Sequence, residues 1–156
     1  MMRARLDETS VIGASNQFWE KMLAMTLVPV PIQEQFCVGA RHLLGSVNLA
    51  GAWTGRIEIR MAHKLAFTAT AVMLMQPIET VAEADTLDAT KEIANMIAGV
   101  IKSSLPIPCS MTVPDSVFET GDHCQVRCTE DTLAVAFQHA DGAMMVSIWE
   151  QECAAA

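Results

Sequence analysis

The stretch TLDATKEIANMIAGVIKSSL, residues 86–105, has the hydrophobic period of a long amphipathic helix. On a wheel of about 100° per residue, its large apolar side chains share one arc, and they are Ile93, Ile97, Val100 and Ile101. The opposite arc of about 60° carries what we call the polar stripe, which consists of Asp88, Glu92, Asn95 and Gly99. Burial of the apolar arc against a core would therefore turn the polar stripe toward solvent.

Both ends of this helix carry sequence signals. Asp85 and Thr86 are candidate N-caps, because a short polar side chain there can accept a hydrogen bond from a free backbone N–H. Pro106 favours an end at about Leu105, since the residue before a proline is biased away from helical dihedrals. We therefore predict a helix from about Thr86 to Leu105.

Two further helices are predicted upstream. Residues 10–25 have helical spacing of apolar side chains, and Pro29 and Pro31 stop the pattern. Residues 62–75 form a second helical stretch that ends before Pro77. The three helices then lie in the order first helix, strands, second helix and third helix.

Strand patterns fill the remaining segments. Between residues 36 and 61 the sequence alternates and is punctuated by glycines, which predicts two or three antiparallel strands. Downstream, residues 123–128, 132–138 and 144–150 read as strands, and an Ala140-Asp141-Gly142 turn joins the last two as a hairpin. The fold class predicted is α+β, with an antiparallel sheet packed against helices in two layers.

Length and composition limit the possible functions. The 156 residues fit one domain over residues 1–156, with expected flexible tails at 1–9 and 152–156, and a hydrophobic content of 51% is enough for a packed core. A net charge of −8 with ten Lys and Arg argues against a nucleic-acid partner. No secretory signal is recognisable, and the longest apolar stretch, residues 65–75, is too short to span a bilayer. We expect a cytoplasmic protein without a membrane partner.

The reactive side chains form no recognised catalytic or metal motif. Five cysteines without a CxxC pair fit reduced thiols. His123, Cys124 and Cys128 are close in sequence but lack a second ligand pair, so we predict no metal site. The four histidines lie on different predicted elements, no nucleophile pattern accompanies them, and no phosphate-binding glycine loop is present.

The polar stripe has two possible explanations at this point. An amphipathic helix always has a polar face, so Glu92 and Asn95 are first explained as ordinary solvated residues. Asn and Gly, however, cost several tenths of a kcal/mol and about 1 kcal/mol relative to Ala inside a helix. Their presence at exposed positions favours a function, although Gly99 could also allow close packing against the second helix or the sheet.

The segment from Asp88 to Gly99, DATKEIANMIAG, resembles the signature helix of the CheC/CheX/FliY chemotaxis phosphatases. That signature has an acid or Ser, three residues, Glu, two residues, Asn, and a later Pro. Pro114 is the candidate for this proline, and it comes sooner than the family spacing. The first helix has no second Glu-x-x-Asn pair, because Gly13 stands where the Glu before Asn16 would be, so the chain is similar to single-site CheX.

The resemblance implies hydrolysis of the aspartyl phosphate on a CheY-like response regulator. It assigns Asn95 to orient the attacking water, Glu92 to pair with a cation of the receiver, and Asp88 and Gly99 to the docking surface. The receiver itself would supply Mg²⁺, so no cofactor is expected on this chain. The resemblance also implies a homodimer joined through the sheets, to which Trp149 and Met145 could contribute if they are not core residues.

Two other functions remain open on the sequence. One is a non-catalytic receiver-binding or flagellar-switch scaffold of the same fold, against which the intact Glu92 and Asn95 count. The other is a small-ligand sensor, for which the sequence offers no polar cluster beyond the polar stripe.

Overall fold

The computed structural model describes residues 6–32, 38–105, 107–121 and 132–150. The helices in these ranges are α1 (Glu8–Leu23), α2 (His63–Leu74) and α3 (Glu83–Ser103), with a short 3₁₀ turn at Ile78–Thr80. The strands are β1 (Val28–Val30), β2 (Arg41–Gly51), β3 (Gly55–Ala62), β4 (Cys109–Met111), β5 (Asp115–Thr120), β6 (Thr132–His139) and β7 (Gly142–Glu150).

The strands form one antiparallel sheet. Its order is β1-β6-β7-β3-β2, and β4 and β5 pair with successive parts of β2 at the edge. Alternate residues of the central strands, such as Ile57 and Ile59, join the buried core with the helices. The predicted α+β architecture of helices on an antiparallel sheet is confirmed.

The core lies between the sheet and the helices. Trp19 of α1 and Ile93 and Ile97 of α3 are fully buried there, and each large apolar side chain removed from water contributes about 1.5–3 kcal/mol. At Gly45 of β2 an added Cβ would lie 3.0 Å from the Thr90 carbonyl oxygen, so glycine lets α3 approach this strand closely. This contact fixes α3 over the β2 edge of the sheet.

Both α1 and α3 begin earlier than predicted. Asp7 is the N-cap of α1, and its carboxylate accepts hydrogen bonds from the Ser10 N–H and hydroxyl at 2.8 and 2.9 Å. These two bonds hold the pKa of Asp7 below its ordinary value. Leu6 is buried and Glu8 is helical, so residues 6–9 belong to the domain, where the sequence predicted a tail.

The predicted N-caps of α3, Asp85 and Thr86, are wrong. The N-cap is Ala82, and the Asp85 carboxylate accepts a hydrogen bond from the Ala82 N–H at 3.3 Å, as an acid at the third helical position can do. Thr86 is buried, and its hydroxyl donates to the Ala82 carbonyl at 3.1 Å. The helix therefore gains almost one turn at its start.

Three strands were missed by the sequence prediction, namely β1, β4 and β5. Pro29 lies inside β1, and a proline argues against a strand except at an edge, which is where β1 lies. In the described part of the segment 36–61, which begins at residue 38, the structure has the lower of the two predicted strand counts, β2 and β3. The predicted strand at residues 123–128 lies outside the described residues.

The edge strand contains a bulge between β4 and β5. Met111 pairs with Leu49, and Asp115 pairs with Ser46, so the edge has one more residue than β2 between these two pairs. Thr112 keeps the register, because its N–H donates to the Asn48 carbonyl at 2.9 Å. Residues 113 and 114 therefore both lie opposite Val47, and we call this pair the edge bulge.

None of the helices in the described parts of the chain is long and apolar enough to cross a membrane.

Candidate functional site

The polar stripe lies on the solvent side of α3. Asp88 and Glu92 are exposed, and Asn95 and Gly99 are partly exposed. The facing arc is buried as the wheel predicted, with Ile93, Ile97 and Ile101 all at 0% exposure, while Val100 is only partly buried. The packing of α3 thus brings the four predicted residues together on one accessible face.

Glu92 and Asn95 have side chains that are free to meet a partner. Neither side chain makes a hydrogen bond or ion pair with any residue in the described part of the chain. Their Cα atoms are separated by about 4.5 Å of helical rise, which places them on adjacent turns of one face. A carboxylate acceptor and an amide with both donor and acceptor atoms are therefore presented side by side.

Gly99 is not required by the internal packing. A Cβ built at this position would have only the Met111 Cε as a neighbour, at 4.0 Å, which is ordinary van der Waals contact with a flexible side chain. Neither α2 nor the backbone of the sheet approaches it within that distance. The alternative that Gly99 allows close packing within the domain therefore finds no support, and Gly99 is partly exposed on the face that carries the polar stripe.

The other chemistry-bearing residues that the structure describes do not converge on the polar stripe. Cys109 is a free, half-buried thiol of β4, while His123 and four cysteines lie outside the described residues (Cys37, Cys124, Cys128 and Cys153). No group of three or more His, Cys, Asp or Glu within the described ranges could hold a metal ion.

A second polar region lies on the face of the sheet opposite the helices. Glu58 accepts hydrogen bonds from Arg56 Nε at 3.0 Å and pairs with Arg60 Nη1 at 2.8 Å. Glu119 of β5 pairs with Arg60 Nε at 3.3 Å and with the buried His42 Nε2 at 2.8 Å. We call these five residues the outer-face network. The sequence prediction missed it, because the partners come from three strands whose register only the fold sets.

His63 occupies a third polar position, at the first turn of α2. Its ring lies 4.5 Å from Phe67 and 5.9 Å from Phe118, and its Nε2 is buried without a hydrogen-bond partner among the described residues. Burial, aided by the nearby Arg41 guanidinium, lowers the pKa of His63, while Glu83 opposes this shift. The neutral imidazole is therefore the form that this corner of the fold favours.

Comparison with known proteins finds CheX and CheC-like proteins. The family model described as chemotaxis phosphatase CheX matches residues 43–138. Chemotaxis protein CheX from Vibrio vulnificus superposes with a TM-score of 0.76 at 21% identity, covering 96% of this chain and 99% of that one. A CheC-like superfamily protein from Shewanella sp. PV-4 gives 0.75 at 18% identity, with coverages of 92% and 96%.

A third structure includes a partner. CheX from Borrelia burgdorferi, solved in a complex with CheY, BeF₃ and Mg²⁺, has a TM-score of 0.73 at 20% identity, with coverages of 95% and 100%. At these identities the structural likeness establishes the fold. No curated protein sequence matches the chain.

Proposed function

The chain belongs to the CheX family of chemotaxis phosphatases, since the family model spans more than half of its residues, and we propose that it hydrolyses the aspartyl phosphate of a CheY-like response regulator. The observation that carries this proposal is the pair Glu92 and Asn95, exposed together on α3 without partners within the described chain. The complex of the Borrelia burgdorferi CheX with CheY supports a receiver domain as the partner.

Asn95 is assigned to position the attacking water. Hydrolysis of an acyl phosphate needs a water in line with the leaving oxygen, and holding a reactant in that geometry is a large source of rate enhancement. An amide suits this task because it can accept from the water and donate to a phosphoryl oxygen without titrating. No general base on this chain is then required.

Glu92 is assigned to docking. Its exposed carboxylate would pair with a cationic side chain of the receiver's active site, one helical turn from Asn95. This pair would set the register between the two proteins, so that the phosphoryl group arrives at Asn95. Mg²⁺ would come bound to the receiver, and this chain would contribute side-chain positioning alone.

Asp88 and Gly99 form the two ends of the proposed docking surface. Asp88 lies in the second turn of α3, where its carboxylate is exposed at the start of the polar stripe. Gly99 is partly exposed at the other end and has no Cβ, so a receiver loop could approach closely there.

The test is the decay of a phosphorylated receiver with and without this protein. We expect the wild-type chain to accelerate dephosphorylation and Asn95→Ala to lose about 100-fold of that acceleration, a loss typical of a misplaced reactant. Asn16→Ala is the matched control, because Asn16 is also a partly exposed Asn inside a helix, on α1. Its activity should equal that of wild type.

The outcome also separates the two candidate functions. If neither the wild-type chain nor Asn95→Ala changes the decay of any receiver of the same cell, phosphatase activity is ruled out. Binding of the receiver without hydrolysis would then favour the non-catalytic scaffold.

The homodimer stays a prediction. Met145 is 1% exposed and packs with Val38 and Ala143, so it belongs to the core and is not available for a dimer contact. Trp149, at 38% exposure, remains available. Light scattering at micromolar concentration gives the mass directly, and a monomer mass would contradict the prediction.

A further inference from the structure

The edge strand runs beside α3, and two contacts fix their alignment. The Ser116 hydroxyl donates to the Leu87 carbonyl at 2.8 Å near the start of the helix. The Met111 Cε lies 4.0 Å from the Cβ position of Gly99, three turns further along. The chain direction of the strand is therefore opposite to that of the helix over this length.

The edge bulge lies between these two contacts. Met111 and Ser116 pair with Leu49 and Gly45, which are four residues or about 13 Å apart along β2. From Leu87 to Gly99 a helix advances about 18 Å, and the long Met111 side chain spans part of the difference. Val113 lies opposite Val47, midway between the two strand pairs, so it falls level with the middle of this helical length, between Glu92 and Asn95.

Val113 is unusually exposed for its residue type and is firmly held. Its exposure is 88%, against 49% for Val117 further along the same edge. On one side Thr112 is bonded twice to Asn48, through its N–H at 2.9 Å and its hydroxyl oxygen at 3.1 Å. On the other side Pro114 has a fixed φ dihedral. The edge bulge thus holds the apolar Val113 side chain exposed to solvent. Bulges often change the direction of a side chain next to a functional site.

We propose that Val113 and Met111 form an apolar wall beside the polar stripe, and that the receiver domain docked on the stripe packs against this wall. The inference rests on the proposed function and adds a residue outside α3 to it. The bulge is level with the segment from Glu92 to Asn95, and Met111 beside it reaches Gly99 of the stripe, so a protein docked over the stripe would also cover Val113. Continuity with the polar stripe thus identifies the receiver as the occupant.

With the apolar wall, the two ends of the docking surface differ chemically. Two carboxylates, Asp88 and Glu92, lie toward the start of α3, whereas Met111 lies beside Gly99 toward its end, where the nearest charge on the helix is the Lys102 cation. A receiver with a cation near its phosphorylation site and an apolar loop beside it fits this surface in one orientation only. Charge would steer the encounter, and the apolar contact would slow dissociation.

The experiment compares Val113→Asp with Val28→Asp. Both replace an exposed valine on an edge of the sheet, but Val28 is on β1, at the opposite edge. The readouts are the Kd for a receiver loaded with BeF₃⁻ and Mg²⁺, and the KM and kcat for dephosphorylation. We expect Val113→Asp to raise Kd and KM by about tenfold, as loss of one apolar contact would, with kcat within about twofold. Val28→Asp should match wild type.

Each outcome bears on the inference. Equal Kd values for Val113→Asp and wild type would overturn it, and so would a wild-type chain that binds no receiver. If wild type binds the receiver and Val113→Asp weakens that binding, but no hydrolysis occurs, the proposed activity fails while the apolar wall stands. A change of oligomeric mass in Val113→Asp with unchanged Kd would assign the wall to a second copy of this chain and overturn the receiver as occupant.

Discussion

The domain has two polar regions, the polar stripe on α3 and the outer-face network on the sheet face away from the helices, and they are built in contrasting ways. In the outer-face network Glu58 and Arg60 are only 13% and 15% exposed, and their charged groups pair with one another and with neighbouring strands. In the polar stripe Glu92 and Asn95 have no partner among the described residues. The first region satisfies its own hydrogen bonds, and the second leaves them for another molecule.

This difference distinguishes polar side chains that stabilise the fold from polar side chains that are available to a partner. A half-buried charge must be paired, because an unpaired one costs free energy of folding, so the outer-face network serves stability. Solvated groups cost little when they are unpaired, but an Asn and a Gly inside a helix lower its stability. Substitutions should therefore affect stability in one region and activity in the other.

Among the substitutions that compare the two regions, Glu92→Ala should have the largest effect. Loss of the docking carboxylate leaves a receiver cation unpaired, and we expect kcat/KM for dephosphorylation to fall about 30-fold or more. The free energy of unfolding should change by less than about 0.5 kcal/mol, as for other exposed positions. Urea titration and receiver decay measure the two quantities, and a large loss of stability would contradict the assignment.

Glu58→Ala is the converse case. Removing this carboxylate leaves Arg56 and Arg60 without their shared acceptor, and we expect a loss of about 1–2 kcal/mol in the free energy of unfolding. Receiver dephosphorylation by the folded protein should equal that of wild type. A fall in kcat/KM with unchanged stability would mean that the outer face takes part in recognition.

Gly99→Ala should make the domain more stable and its binding of the receiver weaker. The added Cβ has room, so helix stability should rise by about 0.5–1 kcal/mol, while the Kd for the receiver increases. Gly13→Ala is the matched control, because its Cβ would meet nothing within 4 Å on α1. It should give the same gain in stability without any change in receiver binding.

The smallest expected effect is on the pH dependence of stability, through His63, which belongs to neither polar region. Because its pKa is lowered in the folded state, protonation favours the unfolded chain. Its contribution to stability is then complete above the unfolded-state pKa of about 6.5 and is lost as pH falls through the lower folded-state value. Replacement by Phe should flatten the fall of Tm as the pH drops below about 6.5. An NMR titration showing His63 with an ordinary or raised pKa would contradict this.

Much of the fold and the four stripe residues could be predicted because the signals are local. The period of α3 fixes which residues share a face, and burial of Ile93 and Ile97 then determines which face is exposed. The β6–β7 hairpin was likewise predicted from its Asp-Gly turn. The presentation of Glu92 and Asn95 follows from this same periodicity; their roles remain proposals.

The features that could not be predicted have ambiguous local signals or depend on distant residues. Strand β5 is difficult to predict because Pro114 comes directly before it, and a proline argues against a strand. In the structure Pro114 lies in the edge bulge, and the strand continues after it. The start of α3 was misplaced because Asp85 can accept the same kind of bond as an N-cap or as a third helical residue. The pairing of Glu119 with His42 requires the register of β5 against β2.

The edge bulge has a further consequence for solubility. An uninterrupted strand over residues 109–120 would offer a long row of unpaired backbone groups, which is a template for aggregation. The extra residue breaks that row, and Pro114 lacks an N–H to donate. Deleting one residue of the bulge would straighten the edge, so a domain with intact helices would become prone to form intermolecular β-sheet.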